Sequence, residues 1–128
     1  MDLLSIFQSD SDGVRKSYVK NLITIAMADG QIDDDEWQLL TELGKLMGLT
    51  EEEIIKVRDN QEFITFHPPR NYDDRVQQIR DLVAIMTIDG EINEKELALC
   101  KKISLKLDIL PQIVDQIIKK TSFTINKE

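Results

Sequence analysis

Apolar residues recur at helical spacing along most of the chain, in stretches that end at glycine or proline. The first clear stripe consists of Val19, Leu22, Ile23 and Ala26. Steps of three, one and three residues place these side chains on one face of an α-helix. Asp29-Gly30 ends the stretch, because glycine adopts the positive φ of a helix C-terminus without steric cost. The pattern therefore predicts a helix with one buried face before residue 29.

Two more helices are predicted in the first half of the chain. Asp33 is a typical N-cap residue, and Glu36, three residues later, completes a capping box. The apolar positions of this second helix are Trp37, Leu39, Leu40, Leu43, Leu46 and Met47, and the helix is expected to end at Gly48. The glutamates at residues 51–53 open a third helix, since negative charge suits the N-terminal end of the helix dipole.

The same pattern returns after Pro68-Pro69, sixty residues further along the chain. Its first stripe consists of Ile79, Leu82, Val83 and Met86. Asp89-Gly90 and Glu96 then stand where Asp29-Gly30 and Glu36 stood in the first copy. Because proline cannot donate a backbone hydrogen bond, the two prolines separate the copies.

This duplication predicts an all-α fold. We expect one domain over residues 1–128, built from two pseudo-symmetric three-helix repeats at about residues 14–66 and 74–126. Each repeat has a single apolar stripe, so two repeats have to face each other to share a core. About six main helices are expected. A short amphipathic turn with Leu3, Leu4, Ile6 and Phe7 and a polar break at residues 9–13 are expected to precede them.

Composition favours an ordinary globular domain. The 128 residues are 41% hydrophobic and 31% charged, which is enough to bury a core without a metal or disulfide. No apolar run approaches the roughly 18–20 residues of a membrane span, and the N-terminus lacks the basic start of a secretory signal. A single cysteine, Cys100, excludes an internal disulfide. We expect a cytoplasmic protein that is not inserted in a membrane.

The net charge of −8 is confined to one half of the chain. Residues 1–66 hold 14 acidic and 6 basic side chains, whereas residues 67–128 hold 10 of each. An acidic half repels nucleic acid and anionic membranes, and it attracts cations or basic protein surfaces. Nucleic-acid binding is therefore not expected. The ligands that this charge favours are a cation or a basic protein partner.

Each Asp-Gly turn resembles half of a calcium-binding EF-hand loop. In that register Asp29 is the fifth loop residue and Glu36 the twelfth. The first and third positions would then be Ile25 and Met27, whose side chains supply no oxygen ligand. An ordinary EF-hand is therefore not expected. Turn and cap formation alone account for Asp29, Gly30, Asp33 and Glu36, and this purely structural interpretation stays open.

The first turn nevertheless has more carboxylates than a cap requires. Asp34 and Asp35 add to Asp29, Asp33 and Glu36, so five carboxylates lie within eight residues. Their mutual repulsion is destabilising unless a cation or the helix dipole offsets it, and such clusters suit Ca²⁺ or Mg²⁺. In the second copy Asn93 and Lys95 replace Asp33 and Asp35, which weakens a site there.

The paired Asp-Gly-x-Ile-x-x-x-Glu turns, each between amphipathic helices, resemble the TerB-like family over about residues 14–120. This family includes tellurite-resistance proteins and the N-terminal domains of DjlA co-chaperones. The resemblance implies an all-helical fold of two similar halves and a bacterial role in tellurite or other chemical stress. It also implies metal binding by acidic residues around the turns. In this chain they are Asp29, Asp33, Asp34, Asp35, Glu36, Asp89, Glu91 and Glu96.

Three hypotheses follow for the function. The first is a stress-response protein that binds a divalent cation, Ca²⁺ or Mg²⁺, at the acidic turns. The second is an adaptor whose acidic first half docks a basic protein, with no role for metal. The third is a catalyst, which would require a deep polar pocket that the sequence does not predict. We expect no enzymatic activity, because the sequence shows no nucleophile–base pair and no phosphate-binding glycine loop. Cys100 aligns with Leu40 on an apolar face and is expected to be a buried thiol.

Overall fold

The computed structural model describes residues 3–121, with side chains from Asp12 onward. Within these residues six α-helices and one short 3₁₀ turn are present, and no β-strand. The helices are α1 Leu3–Ala26, α2 Asp34–Leu46, α3 Glu51–Asp59, α4 Tyr72–Thr87, α5 Glu94–Lys106 and α6 Pro111–Thr121, with the 3₁₀ turn at Gln61–Phe63. The predicted all-α fold with six main helices is confirmed. No helix in this part of the chain is long and apolar enough to cross a membrane.

The helices of the two halves start at equivalent positions. Asp34 and Glu94 begin α2 and α5, and Glu51 and Pro111 begin α3 and α6, a separation of 60 residues in both cases. Buried, half-buried and exposed positions also follow the same order in residues 31–40 and 91–100. The bounds proposed for the two repeats stay a prediction, because the second repeat extends beyond the described residues.

Helices α1 and α4 form the centre of the fold. Helix α1 contacts α2, α3, α4 and α5, while α4 contacts α1, α2, α5 and α6. Both predicted stripes are buried at this centre: Val19, Leu22, Ile23, Ala26, Ile79, Leu82, Val83 and Met86 are at most 1% exposed. Burial of this much apolar surface is the main source of stability for the domain.

Two polar contacts cross the α1–α4 interface and are related by the same sixty-residue shift. The Tyr18 hydroxyl donates to Asp81 Oδ2 at 2.7 Å, and Asn21 Nδ2 donates to Gln78 Oε1 at 3.2 Å. Burial, reinforced by the Asp81 carboxylate, raises the pKa of Tyr18, so this hydroxyl stays a donor. Residue 18 therefore contacts residue 81 of the opposite half, and residue 21 contacts residue 78, so the same two positions of each half take part.

The predicted polar break at residues 9–13 is wrong, because α1 continues through it from Leu3 to Ala26. Asp12 lies 3.7 Å from Arg15 and 3.0 Å from Lys16, and ion pairs at these spacings stabilise a helix. Gly13 serves packing rather than a turn: a Cβ at this position would lie 2.8 Å from Nδ1 of His67. The N-terminal apolar residues belong to the same helix rather than to a separate turn, and their side chains lie outside the described part of the chain.

The segment between the two halves lies along α1. Lys20 Nζ donates to the carbonyl of Ile64 at 3.0 Å, and the His67 amide donates to Ser17 Oγ at 2.8 Å. The chain therefore runs antiparallel to α1 before it enters α4. This arrangement brings the N-terminal ends of α2 and α5, with the Asp-Gly turns before them, to the same part of the molecule.

A candidate metal centre between the two Asp-Gly turns

Glycine makes each Asp-Gly turn possible by its conformation rather than by its small size. Gly30 has φ +107° and Gly90 has φ +87°, and a Cβ at either position would meet no atom within 4 Å. A residue with a side chain is strained at such φ values even where space is free. The Gly30 amide donates to Met27 at 2.9 Å and the Gly90 amide to Thr87 at 3.0 Å. The two turns therefore reverse the chain in the same way.

The helix that follows the first turn starts with the predicted capping box. The Glu36 amide donates to Asp33 Oδ1 at 2.8 Å, and the Asp33 amide donates to Glu36 Oε1 at 3.2 Å. At the second turn Asn93 Oδ1 accepts from the amides of Lys95 at 2.7 Å and Glu96 at 3.3 Å. Capping therefore orients the acidic side chains that precede and open α2 and α5.

The two turns face each other across a single cavity of about 370 Å³. It is lined by Asp29, Gln31, Asp33, Glu36, Asp89, Glu91, Ile92, Asn93 and Glu96. Eight of these nine residues form four pairs that are sixty positions apart, from Asp29 and Asp89 to Glu36 and Glu96. The cavity is therefore shared equally by the two halves of the chain.

Three carboxylates from both halves come close enough to share one ion. One oxygen each of Asp33, Glu36 and Asp89 lie within 4.8 Å of one another. Glu36 is only 6% exposed, whereas Asp33 and Asp89 are exposed. A buried carboxylate with two exposed ones beside it has the donor chemistry of a site for a hard cation that solvent can reach. We refer to Asp33, Glu36 and Asp89 as the carboxylate triad.

The two buried carboxylates of the cavity, Glu36 and Glu96, are in surroundings that disfavour their ionised form. Burial raises the pKa of Glu36, and the charges of Asp33, Asp89 and Asp29 add to the effect. Burial likewise raises the pKa of Glu96 to about 7, with Glu36 as the strongest charged contributor. Among the described residues no lysine or arginine lines the cavity. A bound cation is the kind of ligand that relieves this repulsion.

The structure brings together six of the eight sequence-predicted ligands. Asp29, Asp33, Glu36, Asp89, Glu91 and Glu96 all line the cavity. Asp34 lines a neighbouring groove instead, and Asp35 is exposed and lies outside the lining of the cavity. Both follow Asp33 in the first turn of α2, and successive residues of a helix point in different directions.

Sequence reasoning treated the two turns as separate sites and missed that they form one. It also missed Gln31, Ile92 and Asn93 as lining residues. The signal that was available is the second copy of the Asp-Gly turn sixty residues further along the chain, since turns at equivalent positions of two similar halves can lie side by side. Sequence periodicity alone does not show whether they do. Ile25, the first position of the EF-hand register, is fully buried within α1.

Comparison with known proteins gives one family match. The family model described as "Tellurite resistance protein TerB" matches residues 3–59, which include α1, α2, α3 and the first Asp-Gly turn. The TerB resemblance inferred from the turns is thereby confirmed for the first half, over a shorter range than the residues 14–120 expected. No curated protein and no solved structure matches the chain. Asp33 and Glu36 lie within the matched residues, whereas Asp89 lies beyond them.

Proposed function

We propose that this chain, whose first three helices match the TerB family, is a stress-response protein that binds a divalent cation between its two Asp-Gly turns. The observation that carries the proposal is the carboxylate triad, which unites Asp33 and Glu36 of one turn with Asp89 of the other. The role in stress rests on the family match alone. The proposed activity is binding without catalysis.

The capping box leaves one oxygen free on each of its two acidic side chains. Asp33 uses Oδ1 to accept the Glu36 amide, and Glu36 uses Oε1 to accept the Asp33 amide. Asp33 Oδ2 and Glu36 Oε2 are then available to a cation. The same two side chains therefore serve the helix start and the ligand set, and the hydrogen bonds of the cap hold them in place before the ion arrives.

The spacing of the triad allows its three oxygens to bind one hard cation. Ca²⁺ takes six to eight oxygen ligands at about 2.3–2.6 Å, whereas the smaller Mg²⁺ demands near-ideal octahedral geometry at about 2.0–2.1 Å. The triad oxygens lie within 4.8 Å of one another. Ca²⁺ also accepts irregular geometry and several water ligands, which an open cavity can supply. We therefore expect Ca²⁺ to bind more tightly than Mg²⁺.

Proton release is expected to accompany binding. The pKa of Glu36 is raised by burial, and so is that of Glu96, to about 7. Both carboxyl groups have to be ionised to attract a cation fully, so protons compete with the metal. The affinity should accordingly increase as the pH rises from 5 to 8.

We propose that the protein has no catalytic activity, because its only cysteine and its only histidine are poorly placed to act as nucleophile and base. Cys100 is the only cysteine and is fully buried, and burial raises the pKa of its thiol to about 12. A thiol in this state is a poor nucleophile. The only histidine, His67, lies against Gly13 and donates its amide to Ser17.

A Ca²⁺ titration of chelator-stripped protein, followed by backbone amide NMR, tests the proposal. We expect saturable shifts at both turns, around residues 29–36 and 89–96. Asp89→Asn is the informative variant, because Asp89 belongs to the triad and has no part in the cap. It should weaken Ca²⁺ binding by a factor of at least about ten.

The matched control is the double variant Asp34→Asn/Asp35→Asn. It removes two carboxylates from the same acidic stretch, but neither lines the cavity. Its Ca²⁺ affinity should stay within about twofold of the wild-type value, apart from weak long-range attraction. An equal loss of Ca²⁺ affinity in both variants would show that the ion is attracted by the general negative charge of the surface and not by the triad. An absence of shifts at millimolar Ca²⁺ would refute cation binding.

A further inference from the structure

A second concave surface lies beside the first Asp-Gly turn and has a different chemistry. This groove of about 530 Å³ lies between the start of α2 and the end of α3. Its apolar residues are Met27, Ile32 and Trp37, and its charged ones are Asp34, Arg58 and Asp59. We refer to this surface as the Trp37 groove. None of the carboxylate triad lines it.

The apolar floor of the Trp37 groove is open to a ligand. Met27 is 37% exposed, and Ile32 and Trp37 are half-buried. Methionine and tryptophan are both enriched at protein-binding surfaces, because both offer a large apolar contact area. The floor is therefore suited to one bulky aliphatic or aromatic side chain.

The charges at the rim of the groove favour a basic partner. Arg58 stacks on Trp37, with its guanidinium carbon 5.0 Å from the ring centre, and its Nε lies 3.0 Å from Asp59 Oδ1. Arg58 is thus already paired with an acid. Asp34 adds a further exposed carboxylate at the start of α2. The surrounding half of the chain, residues 1–66, has a net charge of −8.

The second half of the chain replaces the chemistry of this groove. Sixty residues after Trp37, Arg58 and Asp59 come Leu97, Ile118 and Lys119. The aromatic side chain is lost, and a carboxylate becomes an ammonium group. The equivalent surface therefore lacks the tryptophan contact and has a lysine in place of Asp59, although Glu94 keeps a carboxylate at the position of Asp34.

We propose that the Trp37 groove binds a basic segment of another protein. A bulky apolar side chain of the partner contacts Trp37, Met27 and Ile32. Flanking lysines or arginines pair with Asp34 and with Asp59 Oδ2, since Arg58 pairs with Oδ1 of Asp59. Apolar contact provides the affinity, and charge complementarity provides the selection for basic sequences. The inference goes beyond cation binding and does not depend on it.

Trp37 is the only tryptophan of the chain, so its fluorescence reports on the groove directly. The probe is a short synthetic peptide with a central leucine flanked by lysines, titrated in the presence of a chelator to remove any contribution of metal. We expect a saturable change in Trp37 emission and amide shifts at residues of the groove. Replacing the leucine by serine, or the lysines by glutamates, should abolish binding at the same concentrations.

Charge reversal at the rim gives a matched pair of variants. Asp59→Lys introduces the residue that the second half has at Lys119 and should weaken peptide binding by roughly fivefold to tenfold. Asp115→Lys is the control, since Asp115 is also an exposed acid paired with a basic side chain, Lys101, at 3.1 Å. It should change the affinity by less than about twofold.

Trp37→Leu tests the apolar floor with the residue found at Leu97, and amide NMR then replaces fluorescence as the readout. Loss of binding in this variant, with a native-like amide spectrum, supports the proposal. Equal weakening by the Asp59 and Asp115 variants would show unspecific attraction and overturn it. Shifts confined to the acidic cavity, or self-association of the protein through the groove without peptide, would overturn it as well.

Discussion

At the first Asp-Gly turn the N-cap of the following helix is Asp33, and at the second turn it is Asn93. Both side chains accept the backbone amide three residues further on, at 2.8 Å and 3.3 Å. Both turns also have a glycine with positive φ and the same order of buried and exposed positions. The architecture of the two turns is therefore the same, while the chemistry of the N-cap residues differs.

This difference separates what the fold requires from what a ligand requires. An N-cap needs one side-chain oxygen, and asparagine provides it as well as aspartate does. A cation site needs a second oxygen, and the second atom of asparagine is an amide nitrogen that only donates hydrogen bonds. Asp33 satisfies both requirements and Asn93 only the first. The binding capacity of the shared cavity is thus expected to be unequal on its two sides.

The largest effect is expected from Asp33→Asn, which makes the first turn like the second. The cap stays, as Asn93 demonstrates, so the free energy of unfolding should change by less than about 0.5 kcal/mol. One carboxylate of the triad is lost, and the Ca²⁺ affinity should fall by a factor of about 100. Calorimetric titration and thermal unfolding measure the two quantities on the same samples.

The reverse exchange, Asn93→Asp, sharpens the same comparison. It adds a carboxylate opposite the triad and should raise the Ca²⁺ affinity of the protein. A fall in affinity would mean that the extra charge disturbs the cavity more than it helps the ion. The unequal capacity of the two sides would then not be explained by their N-cap residues.

A second, smaller effect concerns the pH dependence of stability without metal. The pKa of Glu96 is raised by burial to about 7 in the folded protein, above its ordinary value of 4.5. The folded state therefore binds this proton more tightly than the unfolded state, and stability decreases as the pH rises through this range. We expect a loss on the order of 2 kcal/mol between pH 5 and pH 8, measured by urea unfolding in a chelating buffer.

Two variants and one added ion test whether Glu96 causes this pH dependence. Glu96→Gln should remove most of it, whereas Glu91→Gln, an exposed carboxylate of the same cavity, should leave it nearly unchanged. Saturating Ca²⁺ should weaken or reverse the trend, because the ion binds the ionised form. A stability that increases steadily from pH 5 to pH 8 without metal would contradict the burial of Glu96 beside Glu36.

The third effect tests the equality of the two turns. Gly30→Ala and Gly90→Ala should each cost about 1 kcal/mol, since each places a side chain at positive φ in otherwise empty space. Because the two backbones are alike, the two values should agree within about 0.5 kcal/mol. Thermal unfolding measures both losses of stability. A clear difference between them would show that one turn can relax to relieve the backbone strain and the other cannot.

Much of this fold could be predicted from the sequence, because it rests on local signals. The stripe with Leu22, the glycine at Gly30 and the cap at Asp33 each obey a spacing rule that needs no tertiary information. The continuity of α1 could not be predicted, since the ion pairs of Asp12 and the contact of Gly13 with His67 appear only in the folded chain. The single cavity was missed for the same reason: its walls are sixty residues apart.

The turn between α2 and α3 and the turn between α5 and α6 have the same backbone conformation although their residues differ. The sequence pattern does not reveal this equivalence. The sequence predicts a helix end at Gly48, and the structure places Asp108 at the equivalent position with φ +64°. The hydrogen bonds agree: Leu49 donates to Gly44 at 3.1 Å, and Ile109 donates to Ser104 at 2.9 Å. Aspartate adopts this left-handed conformation more readily than most residues but less readily than glycine.

The smallest effect is therefore expected from exchanging the residues of these two turns. Asp108→Gly should stabilise the protein by about 0.5 kcal/mol, because relief of the left-handed strain exceeds the entropy that glycine adds to the unfolded chain. Gly48→Asp should cost a similar amount or less, since a Cβ there lies 3.1 Å from Nη1 of Arg15 and the new carboxylate can pair with it. Urea unfolding of both variants measures the difference. If Asp108→Gly proves neutral, the strain and the entropy are equal, and these turns tolerate either residue just as the N-caps tolerate aspartate or asparagine.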